Sequence, residues 1–170
     1  MDQFGIKVGL KKKDAFEGWF CKIDDQKNGL MFSVIWGYST HMTTKHAFIQ
    51  FQDNLNYGTT YLTFPIEEMT WEQEPFMLQI GKNRLSKSGM FLDFMLGEVP
   101  VRGDFKFSAL SQIKESFLKP NIMGLLTFLP NECNHAIISM HHKVSGRFQM
   151  GEKFWDIQDR KSTRLNSSHG

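Results

Sequence analysis

The sequence predicts an all-β protein, from three observations. Short runs rich in aromatic and β-branched residues recur along the chain, turn residues separate them at close intervals, and helical periodicity is poor throughout. The first run, Trp19-Phe20-Cys21-Lys22-Ile23, gives way to Asp24-Asp25-Gln26-Lys27-Asn28-Gly29. Its Asn-Gly pair favours positive φ and hence a tight reversal into a returning strand over 30–36. A second hairpin joins Ala47-Phe48-Ile49-Gln50-Phe51-Gln52 to Thr59-Thr60-Tyr61-Leu62-Thr63-Phe64, with Asp53-Asn54 and Gly58 between them.

Further strands are predicted over 76–80, 84–87, 90–96, 104–110, 133–140 and 146–154. Gly81-Lys82-Asn83 and Lys87-Ser88-Gly89 punctuate three of them. The best helical candidate is 110–118, and Pro120 would stop anything longer. Many short strands at this spacing fit a barrel or a sandwich, and periodicity does not choose between the two.

At 170 residues, with 41% hydrophobic and 14% aromatic content, the chain has material for one domain with a sizeable core. Its formal charge of +2 originates in the last twelve residues. Without Asp159, Arg160, Lys161 and Arg164, 17 basic residues face 17 acidic ones, so nucleic-acid binding has no electrostatic support. Lys11-Lys12-Lys13 is the one basic run, and it reads as a solvated leader over 1–15. Two cysteines, Cys21 and Cys133, and the lack of a hydrophobic signal segment fit free thiols in a reducing cytoplasm. No apolar run approaches the roughly 18 residues of a membrane span, so dealings with lipid are expected to be peripheral.

Five stretches stand in order along the chain. They are Phe16-Glu17-Gly18-Trp19-Phe20-Cys21-Lys22; Lys45-His46-Ala47-Phe48-Ile49-Gln50; Phe64-Pro65-Ile66-Glu67-Glu68; Ile80-Gly81-Lys82-Asn83-Arg84-Leu85-Ser86 with Gly89 and Leu92-Asp93; and Cys133-Asn134-His135 with Ser139, His142 and Gly146. Together they resemble the tocopherol cyclase-like family, which is related to carotenoid hydratases, over about residues 16–158. The resemblance implies an antiparallel lipocalin-like (calycin-type) barrel, the first of two, acting on long isoprenoid or prenylated quinol substrates. The missing carboxy-terminal barrel would then be a partner of this one, and the chain an amino-terminal fragment that is inactive alone. Residues 159–170 resemble translated sequencing adapter and are expected to form a disordered, non-native tail.

Chromanol ring closure requires protonation of a trisubstituted alkene and capture of the tertiary cation by a phenol oxygen. That chemistry needs an acid in a dry pocket, with aromatic faces to stabilise the cation. Glu17, beside Gly18 and Trp19, is the preferred acid among the candidates, with a salt bridge or loop cap as the simpler account of it. His135 and His142 match histidines of the family motif and complete the catalytic candidates. Alternation puts them on opposite faces of a regular strand, so they can line one cavity only across a bulge. Trp19, Trp36, His46 and Phe48 are the candidate ligand-binding residues, with a structural, hydrogen-bonded role as the simpler account of His46.

Glu67 and Glu68 after Pro65 read as a solvated turn. A metal site from Cys133, His135 and His141 lacks the paired spacings of zinc sites, so no metal or cofactor is assigned. The competing function is a non-enzymatic barrel that stores or carries a lipophilic ligand, and a hydratase on the same scaffold is a third.

Overall fold

The computed structural model describes residues 10–11, 13–41, 45–55, 58–112 and 138–169, with side chains at 10–11, 13–41, 45–55, 58–107 and 144–158. The described residues form an all-β, antiparallel structure. Its strands are β1 (Phe16–Asp25), β2 (Leu30–Ser39), β3 (His46–Asp53), β4 (Thr59–Pro65), β5 (Met69–Gln73), β6 (Phe76–Ile80), β7 (Asn83–Ser86), β8 (Gly89–Leu96), β9 (Val99–Gln112), β10 (Ile138–Met150) and β11 (Lys153–His169). A single 3₁₀ turn, Ile66–Glu68, stands between β4 and β5.

The sheet order is β4-β3-β2-β1-β11-β10-β9-β8-β7-β6-β5. Each strand therefore pairs with its sequence neighbour, β11 rejoins β1, and the one step without a backbone ladder lies between β4 and β5. At that step the Phe64 ring from β4 lies against Gly81 in the β6–β7 turn, and Gly81 N–H donates to the Glu68 carbonyl at 3.1 Å.

Burial follows the alternation of the strands. Trp19, Cys21 and Ile23 of β1, Phe32, Val34, Trp36 and Tyr38 of β2, and Ala47, Ile49 and Phe51 of β3 share one inner face and one hydrophobic cluster. Rings from distant strands meet there, which shows that the sheet curls over its own face. Phe32 lies 4.4 Å from Phe148 of β10 and 5.7 Å from Phe105 of β9, and Trp19 stacks on Phe76 of β6 at 5.5 Å. Fully burying side chains of this size contributes on the order of 2 to 3 kcal/mol each, so this face dominates the stability of the fold.

The first hairpin forms where the Asn-Gly pair predicts it. Gly29 takes φ of +63°, and Asp25 accepts hydrogen bonds from the backbone and side chain of Asn28. Elsewhere the boundaries differ from expectation. The run 146–154 is broken by a turn at Gly151–Glu152 and belongs to two strands, while β5 was hidden in a polar stretch around Trp71. Residues 110–112 continue β9 as strand instead of opening a helix, because backbone pairing with β10 (Met140↔Gln112) outweighs weak local helical preference.

Where the sequence predicts a disordered tail, β11 runs on through 159–169. Its backbone pairs with β1 from Glu17↔His169 to Lys22↔Arg164, and with β10. Ladder bonds come from the main chain, so a polar segment of any origin can occupy an open strand slot. Among the described residues no helix is long and apolar enough to cross a membrane.

Candidate functional site

The register of the first hairpin sets Glu17 opposite Tyr38, and Trp19 opposite Trp36. All four side chains point to the inner face, and all four are fully buried. The Tyr38 hydroxyl donates to Glu17 Oε2 at 2.5 Å. A carboxyl group is rarely buried so completely without a partner, because an unpaired charge in an apolar interior costs several kcal/mol. The phenol supplies a short, direct hydrogen bond to it.

Beside this pair, the Trp36 indole Nε1 is buried without a hydrogen-bond partner among the described residues. Cys21 follows Trp19 on the same face, where burial pushes its thiol from 9.0 up to about 12. This corner of the interior thus combines two indoles, a carboxyl and a phenol within walls of Val34, Ile49 and Phe76.

The candidate ligand residues divide between two faces. Trp19 and Trp36 face inward with Glu17, whereas His46 and Phe48 alternate to the other face with Phe16, Phe20 and Ile35. There the Phe48 ring stacks between Phe16 at 5.7 Å and Tyr61 at 5.0 Å, and His46 Nε2 shares a hydrogen bond of 2.7 Å with Tyr61 Oη. His46 therefore serves an aromatic ladder on the far side of the sheet from Glu17. Partial burial raises the Tyr61 hydroxyl from 10.0 to about 12.

A pair of glycines makes that ladder possible. Gly18 and Gly37 face each other across β1 and β2, and the Phe48 ring fills the space over Gly37.

His135 lies outside the described residues. His142 is described in its backbone alone, opposite Thr163 of β11, and the β10 register shifts between His142 and Val144. A shift also separates His141 from Lys143 on the β9 side. Both shifts lie at or beyond His142 and not between it and His135, so they do not bring the two histidines to one face. Glu67 and Glu68 are exposed on the 3₁₀ turn, as a solvated turn requires.

Tyr38 was not singled out in the sequence. The loop spans four residues, 26–29, with Asp25 opposite Leu30, whereas a two-residue turn at Asn28-Gly29 would have set Thr40 opposite Glu17, so the turn motif alone does not give the Tyr38 register. A groove of about 390 Å³ across β8–β11 was also not foreseen. It lies on the solvent face between Phe91 and Phe154, and its guanidinium groups are already matched, Arg147 with Asp156 at 3.5 Å and Arg102 with Asp93 at 3.7 Å. Among the described residues no group of three or more His, Cys, Asp or Glu side chains is placed to hold a metal ion.

No protein-family model, curated protein or solved structure matches the chain.

Proposed function

We propose that this chain is a lipocalin-like barrel unit of the tocopherol cyclase-like kind, which takes a long isoprenoid or prenylated quinol into its interior with Glu17 as the acid. The observation that carries the reading is the Glu17 carboxyl, buried on an aromatic inner face and hydrogen-bonded to Tyr38. A cyclic order of strands with one seam at β4 and β5 supports the barrel, since a ring of antiparallel strands leaves an interior that side chains or one small ligand can fill.

In this reading the protonated Glu17 gives its proton to the prenyl alkene and leaves a tertiary cation. The faces of Trp19 and Trp36 stabilise that cation, the quinol oxygen forms the new C–O bond, and the phenolic proton returns to the carboxylate. Product and substrate are isomers, so no oxidant or cofactor is consumed. Ring closure is expected of this unit joined to a second barrel, and ligand binding of this unit alone.

A carrier reading has its own support. The Glu17 carboxyl is held in a direct hydrogen bond, an arrangement that suffices for a structural anchor in a binding protein.

The experiment titrates the chain with a geranylgeranyl-substituted benzoquinone and follows tryptophan fluorescence. It then incubates the chain and the unit joined to a second barrel with the corresponding hydroquinone and assays chromanol by mass spectrometry, which is expected from the joined protein. Quenching with chromanol formation that falls at least about a hundredfold in Glu17→Gln supports the acid role. Saturable quenching without chromanol, from this chain and from the joined protein, favours the carrier. Absence of saturable quenching overturns both.

A further inference from the structure

Trp36 presents a chemical asymmetry that the proposed function does not use. Its side chain is fully buried, yet the indole Nε1–H has no acceptor among the described residues. Buried polar atoms are paired in the great majority of cases, and an indole nitrogen is a donor only, so its complement must be an acceptor. The inner-face neighbours on the adjoining strands, Trp19 and Ile49, and Val34 two residues back on β2, offer none. Tyr38 is two residues further along β2, about 7 Å away, and Glu17 sits diagonally across the ladder within reach of a long side chain.

We propose that the Trp36 Nε1–H is the anchor for an acceptor oxygen of the bound ligand, selecting quinones and other oxygen-bearing ring compounds over hydrocarbons of the same shape. The ligand head would then lie with one oxygen on Trp36 and its ring toward the Glu17–Tyr38 pair. The inference rests on the reading of this chain as a binder of lipophilic ligands, and it adds the polar contact that determines which of them are held.

The test compares duroquinone with durene, which share a tetramethylated six-membered ring and differ in the two carbonyl oxygens. Four indole N–H signals are expected in a ¹H–¹⁵N correlation spectrum, one for each tryptophan. The Trp36 signal is the one missing from Trp36→Phe. Duroquinone should move this signal downfield while durene leaves it in place, and Trp36→Phe should lose about tenfold more affinity for duroquinone than for durene.

If the wild-type chain binds neither probe, the lipophile-binding reading fails and the inference falls with it. If it binds both but the Trp36 signal stays still, or if Trp36→Phe keeps the preference for the quinone, the inference alone is overturned. Should Trp36→Phe fail to fold, the signal is assigned through its contacts with the rings of Trp19 and Tyr38, and the wild-type comparison of the two probes decides.

Discussion

Tyr38 and Glu17 face each other across β1 and β2, and the phenol donates to the carboxyl at 2.5 Å with neither side chain reaching solvent. Replacing Tyr38 by Phe keeps the ring and removes the donor, which takes one hydrogen bond from a buried carboxyl. Urea unfolding should show a loss of about 1 to 3 kcal/mol. Tyr38→Phe, Glu17→Gln and the double variant form a cycle whose coupling should exceed about 0.5 kcal/mol. Additive losses would mean that the contact contributes nothing specific.

The facing glycines Gly18 and Gly37 differ in what a methyl group would meet. At Gly37 a Cβ would stand 2.6 Å from the Glu17 carbonyl oxygen and 2.6 Å from the Phe48 ring, whereas at Gly18 the nearest atoms are 3.2 Å away. Gly37→Ala should therefore cost about 1 to 3 kcal/mol, because backbone in the next strand cannot yield. Gly18→Ala should stay within about 1 kcal/mol, since small adjustments and the smaller entropy of the unfolded chain offset one another. Thermal melts of the two variants give the ranking directly.

Burial holds the Cys21 thiol at about 12 when folded against 9.0 when exposed. Between those values the unfolded chain has released a proton that the folded chain retains. Stability is thus unaffected below pH 9 and falls as pH rises above it, by up to about 1.4 kcal/mol per pH unit for one group. Tyr61 adds to the fall only above its ordinary value of 10.0, so the window from pH 9 to 10 isolates the thiol. Denaturant midpoints measured there should drop less steeply in Cys21→Ala. In the native wild type, Cys21 should resist a thiol reagent at pH 8 until denaturant is added.

Residues 164–169 of β11 cover the edge of β1 from Glu17 to Lys22. Ending the chain after Gln158 would expose that edge beneath the most aromatic part of the core. The shortened chain is expected to melt at lower temperature and to self-associate in sedimentation, as unpaired strand edges do. Unchanged melting and a monodisperse boundary would show that the fold does not depend on the segment.

Legibility varied with the range of the interactions. The Asn28-Gly29 reversal and the exposed Pro65-to-Glu68 turn depend on a few adjacent residues, so they were readable. The Gly151 turn was missed because Phe148, Met150 and Phe154 surround it with strand-like residues and mask the break. The division of His46 and Phe48 from Trp19 and Trp36 was in principle readable by parity. It required the register of three strands at once, which composition and motif spacing do not supply.

By itself, the sequence determined the β class, the first hairpin and the aromatic character of the interior, because turn chemistry and period-two burial are local properties of the chain. Tertiary structure alone decided that β11 returns to β1, that the sheet curls until Phe32 meets Phe148, and that Tyr38 meets Glu17 while the Trp36 donor has no acceptor among the described residues. These relations depend on pairings between distant strands. Main-chain hydrogen bonds, which carry no side-chain identity, make the pairings, and the burial of one shared face selects among them.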